Sequence, residues 1–137
     1  MYEKKWPLSN GPEGLRFKEE RFYLQWMSGM INPELAYWLI KFADERMTLF
    51  GNETVVTELR STLAEDHAYK RQHKFHRWGD AADIRSRNWE LDEEKHAKKF
   101  WKQTAKSRHK RLRFAFSHRR HGTGAHFHID IREIKQK

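Results

Sequence analysis

The sequence contains no cysteine among its 137 residues. Disulfides and thiolate metal sites are therefore excluded, and any metal ion must be held by histidine, aspartate or glutamate. Long apolar runs are also missing, since none approaches the ~18 residues of a transmembrane helix. Residues 1–7 lack the apolar segment of a secretory signal peptide. We therefore expect a protein that is cytoplasmic as synthesised and does not insert into a membrane.

Acidic side chains are the minority among the charged residues. Lysine and arginine total 28 against 19 aspartates and glutamates, which gives a formal net charge of +9. This balance favours anionic partners such as nucleic acid, a membrane surface or the phosphate-rich bacterial cell wall. The hydrophobic fraction of 37% still supplies a core. The length suits one domain over residues 1–137.

The first half of the chain contains one strong helix signal. Residues 1–14 are rich in proline and glycine and predict an irregular lead-in. Residues 15–27 predict a short helix, so that residues 1–30 form an irregular and helical N-terminal extension. Asn32-Pro33-Glu34 combines a capping residue, a first-turn proline and an acidic residue, and Gly51 can end the helix that follows.

The second half predicts strands around a further helix. Residues 54–60 have the composition of a strand, and another strand is expected from Ala81 to about Arg85. Acidic residues at 90–94 open a helix whose C-terminal turns are basic. Residues 111–116 and 126–134 predict a hairpin. Together these elements predict an α+β fold with a small antiparallel sheet and flanking helices.

Residues with metal-binding chemistry occur in two clusters. His76 and Asp83 are seven positions apart, and Gly79 between them lets the backbone turn tightly and pass close to another group. The second cluster, His126-Phe127-His128-Ile129-Asp130, alternates polar and apolar residues as a half-buried strand does. Its three polar side chains therefore share one face. Imidazole nitrogens and carboxylate oxygens are standard zinc ligands, and three of them with one open position form the catalytic arrangement.

The pattern His76-x-x-Gly79-x-Ala81-x-Asp83, followed by His126-x-His128, resembles the zinc D-alanyl-D-alanine peptidase family. That family includes carboxypeptidases, dipeptidases and L-alanyl-D-glutamate endopeptidases of bacterial cell walls, many of them phage-encoded. It shares its fold with the hedgehog signalling domain. The resemblance covers roughly residues 54–134. It implies a hedgehog/DD-peptidase-like fold, a zinc cofactor and peptidoglycan stem peptides as substrate.

The resemblance also implies a role for individual residues. His76, Asp83 and His128 match the family's zinc ligands. His126 corresponds to a histidine that lies beside the metal and stabilises the transition state or moves a proton. Arg60, at the end of a strand, corresponds to an arginine that holds the substrate or the developing oxyanion. The spacing alone leaves open which of His126 and His128 binds the metal.

The chain departs from the family where many relatives carry the general base. An acidic residue is usual shortly before the last histidine, but Gly122-Thr123-Gly124-Ala125 stands there. His126 is the first candidate for the base, and Asp130 on the same strand face is the second. His73, three residues before His76, is either an outer partner of the site or an exposed residue of a basic loop.

Two further functions remain open alongside peptide hydrolysis. A chain that holds zinc without catalysis, as in hedgehog, would have a similar sequence. Residues 98–116 interleave basic and aromatic side chains, which also suits a module that binds nucleic acid or the cell wall. Nucleic acid is the less favoured partner, because binding it does not require a cluster of metal ligands. We expect a monomer that acts on the wall after release from the cytoplasm or from a virion.

Overall fold

The computed structural model describes residues 14–68, 76, 79–107, 112–117 and 125–131. The secondary structure of these residues consists of five strands and four helices. The strands are β1 (Leu15–Phe17), β2 (Thr54–Glu58), β3 (Ala81–Arg85), β4 (Leu112–Ser117) and β5 (His126–Ile131), and the helices are α1 (Glu20–Met27), α2 (Pro33–Phe50), α3 (Leu63–Ala68) and α4 (Leu91–Ser107). No helix in these ranges is long and apolar enough to cross a membrane.

The strands form one sheet in the order β1-β2-β3-β5-β4. The predicted α+β class is therefore confirmed, as is the pairing of β4 with β5. The sheet is not wholly antiparallel, however, because β1 pairs with β2 in parallel. A parallel pair needs a long crossover connection, and α1 and α2 provide it. The sheet is mixed rather than antiparallel.

The segment 15–27, predicted as one helix, is a strand followed by a helix. Leu15 and Phe17 are both buried while Arg16 between them is half-exposed, which is the two-residue period of a strand. The helix begins only at Glu20. The described part of the predicted N-terminal extension thus supplies an edge strand of the sheet. The predicted irregular lead-in lies outside the described residues except for Gly14.

Helix α2 begins and ends as predicted. The Asn32 side chain accepts a hydrogen bond from the Glu34 amide at 2.9 Å, and Pro33 occupies the first turn. Gly51 ends the helix in the left-handed conformation with φ of 68°. The buried side of α2 packs with α4 against one face of the sheet. The core between them includes Leu35, Leu39, Phe42, Val56, Ile84, Trp101, Phe127 and Ile129.

A buried ion pair joins the two large helices. Arg46 of α2 and Glu93 of α4 lie 3.4 Å apart, and both side chains are almost fully buried. Arg46 also donates to Thr54 of β2 at 3.0 Å, while Glu93 accepts the Glu90 amide at 2.7 Å at the start of α4. Because a buried charge is tolerated only with partners, this network fixes α2, α4 and β2 relative to one another.

Side chains that point to opposite faces of the sheet alternate along β3 and β5, and the two faces differ in chemistry. Ile84, Phe127 and Ile129 belong to the core beneath the helices. Asp83 and His128 alternate with them and therefore lie on the other face. The candidate metal ligands are thus separated from the helix layer by the sheet itself.

A tight turn at Gly79 sets the position of His76 relative to β3. Gly79 has a φ of 79°, and a side chain there would overlap the carbonyl oxygen of Met30. Its own carbonyl accepts the Asn32 amide at 2.9 Å, and its amide donates to the His76 carbonyl at 3.1 Å. Both properties anticipated for this glycine, a tight turn and a close backbone approach, are confirmed.

We expect Gly79→Ala to destabilise the protein more than Gly51→Ala. Both glycines have positive φ, which costs alanine about 1 kcal/mol. A methyl group at Gly51 meets no atom within 4 Å, whereas at Gly79 it meets backbone. The difference in the free energy of unfolding, measured by urea denaturation, should reach about 1–2 kcal/mol. Equal losses would show that the contact with Met30 imposes no constraint.

Candidate metal centre

Three side chains from separate parts of the chain converge on the face of the sheet opposite the helices. His76 precedes the Gly79 turn, Asp83 lies in β3 and His128 lies in β5. Asp83 and His128 are direct cross-strand partners. One ligand atom from each of the three lies within 4.8 Å of the other two. The structure therefore brings together the three residues that the sequence predicted as metal ligands.

The carboxylate of Asp83 is the centre of this group. Its Oδ1 atom lies 2.8 Å from Nδ1 of His128 and 3.3 Å from Nε2 of His76. Ligand atoms in tetrahedral coordination at bonds of ~2 Å are themselves about 3.3 Å apart. His76 and Asp83 are buried, and His128 is partly buried. The spacing thus suits a small ion enclosed by protein.

Each imidazole is held by a second partner on its outer side. The Nδ1–H of His76 donates to the Leu59 carbonyl at 2.7 Å, which directs Nε2 towards Asp83. The Nε2 atom of His128 is bonded to the Asp130 carboxylate at 2.8 Å, which directs Nδ1 towards Asp83. Metal-binding histidines carry such outer partners, which fix the tautomer and the ring orientation. The donor set therefore fits a metal ion.

The charges of the group stabilise one another. Burial would raise the pKa of Asp83, but the charge of His76 and hydrogen bonds from His128 and His76 hold that pKa well below its usual range. Burial lowers the pKa of His128, but its hydrogen bonds with Asp130 and Asp83 raise that pKa to about 9. Without a metal ion, His128 is then an imidazolium that donates from both nitrogens at neutral pH. A metal ion would replace the proton between His128 and Asp83.

Glu58, which the sequence did not predict as a site residue, lies beside this group. Strand alternation would place it with Val56 in the core, but the β2–β3 register shifts between these two residues. The irregularity puts Glu58 opposite Asp83, and its Oε2 lies 3.8 Å from Nδ1 of His76. Bulges commonly redirect a side chain in this way. The sequence did contain a signal, because Glu58 is a charged residue at a strand position where alternation predicts a buried apolar side chain.

The two predicted catalytic residues differ in what the structure establishes. Nε2 of His126 lies 3.6 Å from Oδ2 of Asp83, so this histidine is beside the candidate ligands. The backbone of Arg60 is fixed by Gln25, whose amide side chain accepts from the Arg60 N–H at 2.9 Å. That the Arg60 guanidinium faces the metal cleft stays a prediction. His73 lies outside the described residues.

Asp130 was the second candidate for the general base, but its position in the structure does not suit that role. It is almost fully buried, and its carboxylate holds the outer nitrogen of His128. Such a partner raises the basicity of a ligand histidine and fixes its orientation. His76, Asp83 and His128 could thus hold a divalent metal ion, with Asp130 and the Leu59 carbonyl supporting the two imidazoles.

Comparison of the chain with protein-family models, curated proteins and solved structures found no match.

We expect Asp130→Asn to weaken the binding of a divalent metal ion by about 10–100-fold, the usual effect of changing an outer partner. Asparagine keeps the shape and an acceptor oxygen but removes the charge that supports His128. Glu45→Gln is the matched control, because Glu45 also bonds a histidine, His96, at 3.0 Å but lies outside the ligand group. Competition with a chromophoric chelator measures the affinity. Equal affinities in the two variants would remove Asp130 from the site.

The affinity of the candidate site for a divalent metal ion should rise with pH up to about 9. Metal binding must displace a proton from His128, whose pKa is raised to about 9, while Asp83 is already ionised. The apparent affinity should therefore increase up to about tenfold per pH unit below that value and then level off. In Asp130→Asn the plateau should begin at lower pH, because the group that raises the pKa of His128 is lost. A flat profile in wild type would contradict this proton competition.

Proposed function

We propose that this protein is a zinc metallopeptidase that hydrolyses peptide bonds in peptidoglycan stem peptides, of the D-alanyl-D-alanine carboxypeptidase or endolysin type. The observation that carries the proposal is the convergence of His76, Asp83 and His128. These are the three residues that the motif resemblance designates as ligands, and Asp83 and His128 are 45 positions apart. A group assembled over such a distance, with an outer partner for each imidazole, supports a built metal site.

The chemistry of the reaction divides between zinc and the protein. When bound, zinc would lower the pKa of a water molecule and polarise the scissile carbonyl. His76, Asp83 and His128 would hold the ion and orient it. Arg60 would bind the substrate carboxylate or the developing oxyanion through its fork of N–H donors.

His126 is the better candidate for the general base. Asp130 is engaged with the outer nitrogen of His128 and is 1% exposed, so it is poorly placed to take a proton from an incoming water. The His126 side chain is 16% exposed, and its Nε2 lies at the edge of the ligand group. Nε2 of His126 can therefore accept the proton of the attacking water and transfer it to the leaving amine.

The ligand set of two histidines and one carboxylate does not fix the identity of the metal. The same set holds Fe(II) in oxygenases, where several coordination positions stay open. Zinc is proposed because the ligand spacing resembles the zinc peptidases. Elemental analysis of protein purified without added metal tests this point, with one zinc per chain as the expected result. Stoichiometric iron, or no transition metal, would overturn the assignment.

Digestion of purified sacculi tests the reaction. Zinc-loaded wild-type protein should release new amino termini, identified by mass spectrometry. His126→Ala should keep zinc and lose activity by about 100-fold or more, because it removes only the base. His128→Ala should lose both zinc and activity, and Arg60→Ala should lose activity with zinc retained. These variants separate catalysis from metal binding.

The informative negative result is a protein with zinc fully bound that releases no new termini at any salt concentration or pH. That outcome would favour the second candidate, a zinc-holding module without catalysis. The observation behind this candidate is the Gly122-Thr123-Gly124-Ala125 segment, which stands where relatives carry an acidic base. An active enzyme would reach the wall after release from the cytoplasm or from a virion.

A further inference from the structure

The positive charge of the chain is concentrated in one segment. Between Lys95 and Ile129 the sequence has eleven lysines and arginines and no aspartate or glutamate. The rest of the chain carries 17 basic against 19 acidic residues, a formal charge of −2. The overall charge of +9 therefore arises entirely from this segment. Positive charge that served only general solubility would not need to be concentrated in one segment.

Helix α4 arranges part of this charge as a line. Lys95, Lys99, Lys102 and Lys106, here called the lysine stripe, are all exposed. Their spacing of four, three and four residues places them on one side of an α-helix, within about 60° of each other and over about 16 Å. The ion pairs among the described residues do not include any of these four side chains.

The stripe lies on the other side of the molecule from the candidate metal centre. The buried side of α4 includes Ala97 and Trp101, and the Trp101 ring packs 6.4 Å from that of Phe127. Phe127 belongs to the helix-covered face of the sheet, whereas His128 belongs to the opposite face. A ligand on the lysine stripe would therefore leave the metal centre open.

We propose that the lysine stripe binds a linear polyol-phosphate chain, the chemistry of a teichoic acid, and so holds the protein on the cell wall. The proposal extends the proposed function, since it names a polymer that accompanies the peptide substrate. Charge complementarity selects a polyanion. A line of single ammonium groups matches a flexible chain with one phosphodiester in each repeat.

The composition of the stripe favours this polymer over nucleic acid. Single-stranded nucleic acid gains much of its binding free energy from stacking bases on aromatic side chains. The two aromatic residues of α4 turn away from the stripe, since Trp101 is fully buried and Phe100 packs against Phe42 with ring centroids 5.2 Å apart. The stripe also has no arginine, whose planar guanidinium can stack on nucleic-acid bases. Lysine neutralises phosphate without requiring either feature.

Binding to fluorescently labelled poly(glycerol phosphate) tests the proposal. The triple variant Lys99→Gln, Lys102→Gln, Lys106→Gln removes three charges of the stripe. The control Lys18→Gln, Lys41→Gln, Arg87→Gln removes three exposed charges from outside α4 and changes the net charge equally. Wild type should bind with an affinity that falls with salt. At about 50 mM salt the stripe variant should bind at least about tenfold more weakly, and its log–log salt slope should be smaller by about 2.

Three results would overturn the proposal. The first is equal loss in the stripe and control variants, since binding would then follow net charge alone. The second is tighter binding of wild type to single-stranded DNA with the same number of phosphates. The third is binding only to vesicles that contain phosphatidylglycerol. Urea denaturation midpoints, expected to agree within error, show that the variants are equally folded.

The proposal and the peptidase function can fail separately. His128→Ala should bind poly(glycerol phosphate) as wild type does, because the stripe lies on the other side of the sheet. The stripe variant should hydrolyse soluble stem peptides at the wild-type rate and lose activity only on sacculi that retain their polyol phosphate. Loss of polymer binding in His128→Ala would contradict the independence of the two surfaces.

Discussion

The buried carboxylate of Asp83 is the charge on which the site side of the sheet depends. Removing an ion from water costs several kcal/mol unless partners replace the lost hydration. His76 and His128 are those partners, at 3.3 and 2.8 Å. Each of them needs its own support, which comes from the Leu59 carbonyl and from Asp130. One buried charge thus sets requirements on the residue that follows β2, on β3 and β5, and on the turn at Gly79.

The environment of Asp83 carries negative charge that a bound cation could offset. Glu58, Asp83 and Asp130 are all buried on or beside the same site. Protonation of His128 offsets part of that negative charge in the absence of metal. A divalent ion would offset more of it and would leave both imidazoles neutral. The same residues therefore account for the stability of the metal-free arrangement and for its capacity to hold a metal ion.

The candidate ligands were predictable mainly through the family resemblance, which designates His76, Asp83 and His128. Metal chemistry restricts the residue types and strand alternation fixes which side chains of β5 share a face, but these two constraints alone do not choose between His126 and His128. Helix α2 was predictable from its local capping residues. β1 was not, because three residues are too few for a period to stand out from a neighbouring helix. Glu58 was missed because the irregularity that redirects it depends on how β2 pairs with β3.

The role of Asp130 could not be predicted from the sequence for a different reason. Its position on the ligand face was predicted, but its role was not. A carboxylate two residues from a histidine on a strand can meet water, a metal ion or the outer nitrogen of that histidine. Only the orientation of the His128 ring, which sends Nε2 towards Asp130 and Nδ1 towards Asp83, distinguishes these.

The pairing of β3 with β5 also has a consequence for how the chain folds. It joins Asp83 to His128 across 45 positions, so the ligand group exists only after this non-local contact has formed. The unfolded chain has no comparable site, and a bound metal ion would therefore stabilise the native state alone. Metal occupancy would slow unfolding and limit access to proteases. The lifetime of the protein in a cell would then depend on the local supply of metal as well as on its own sequence.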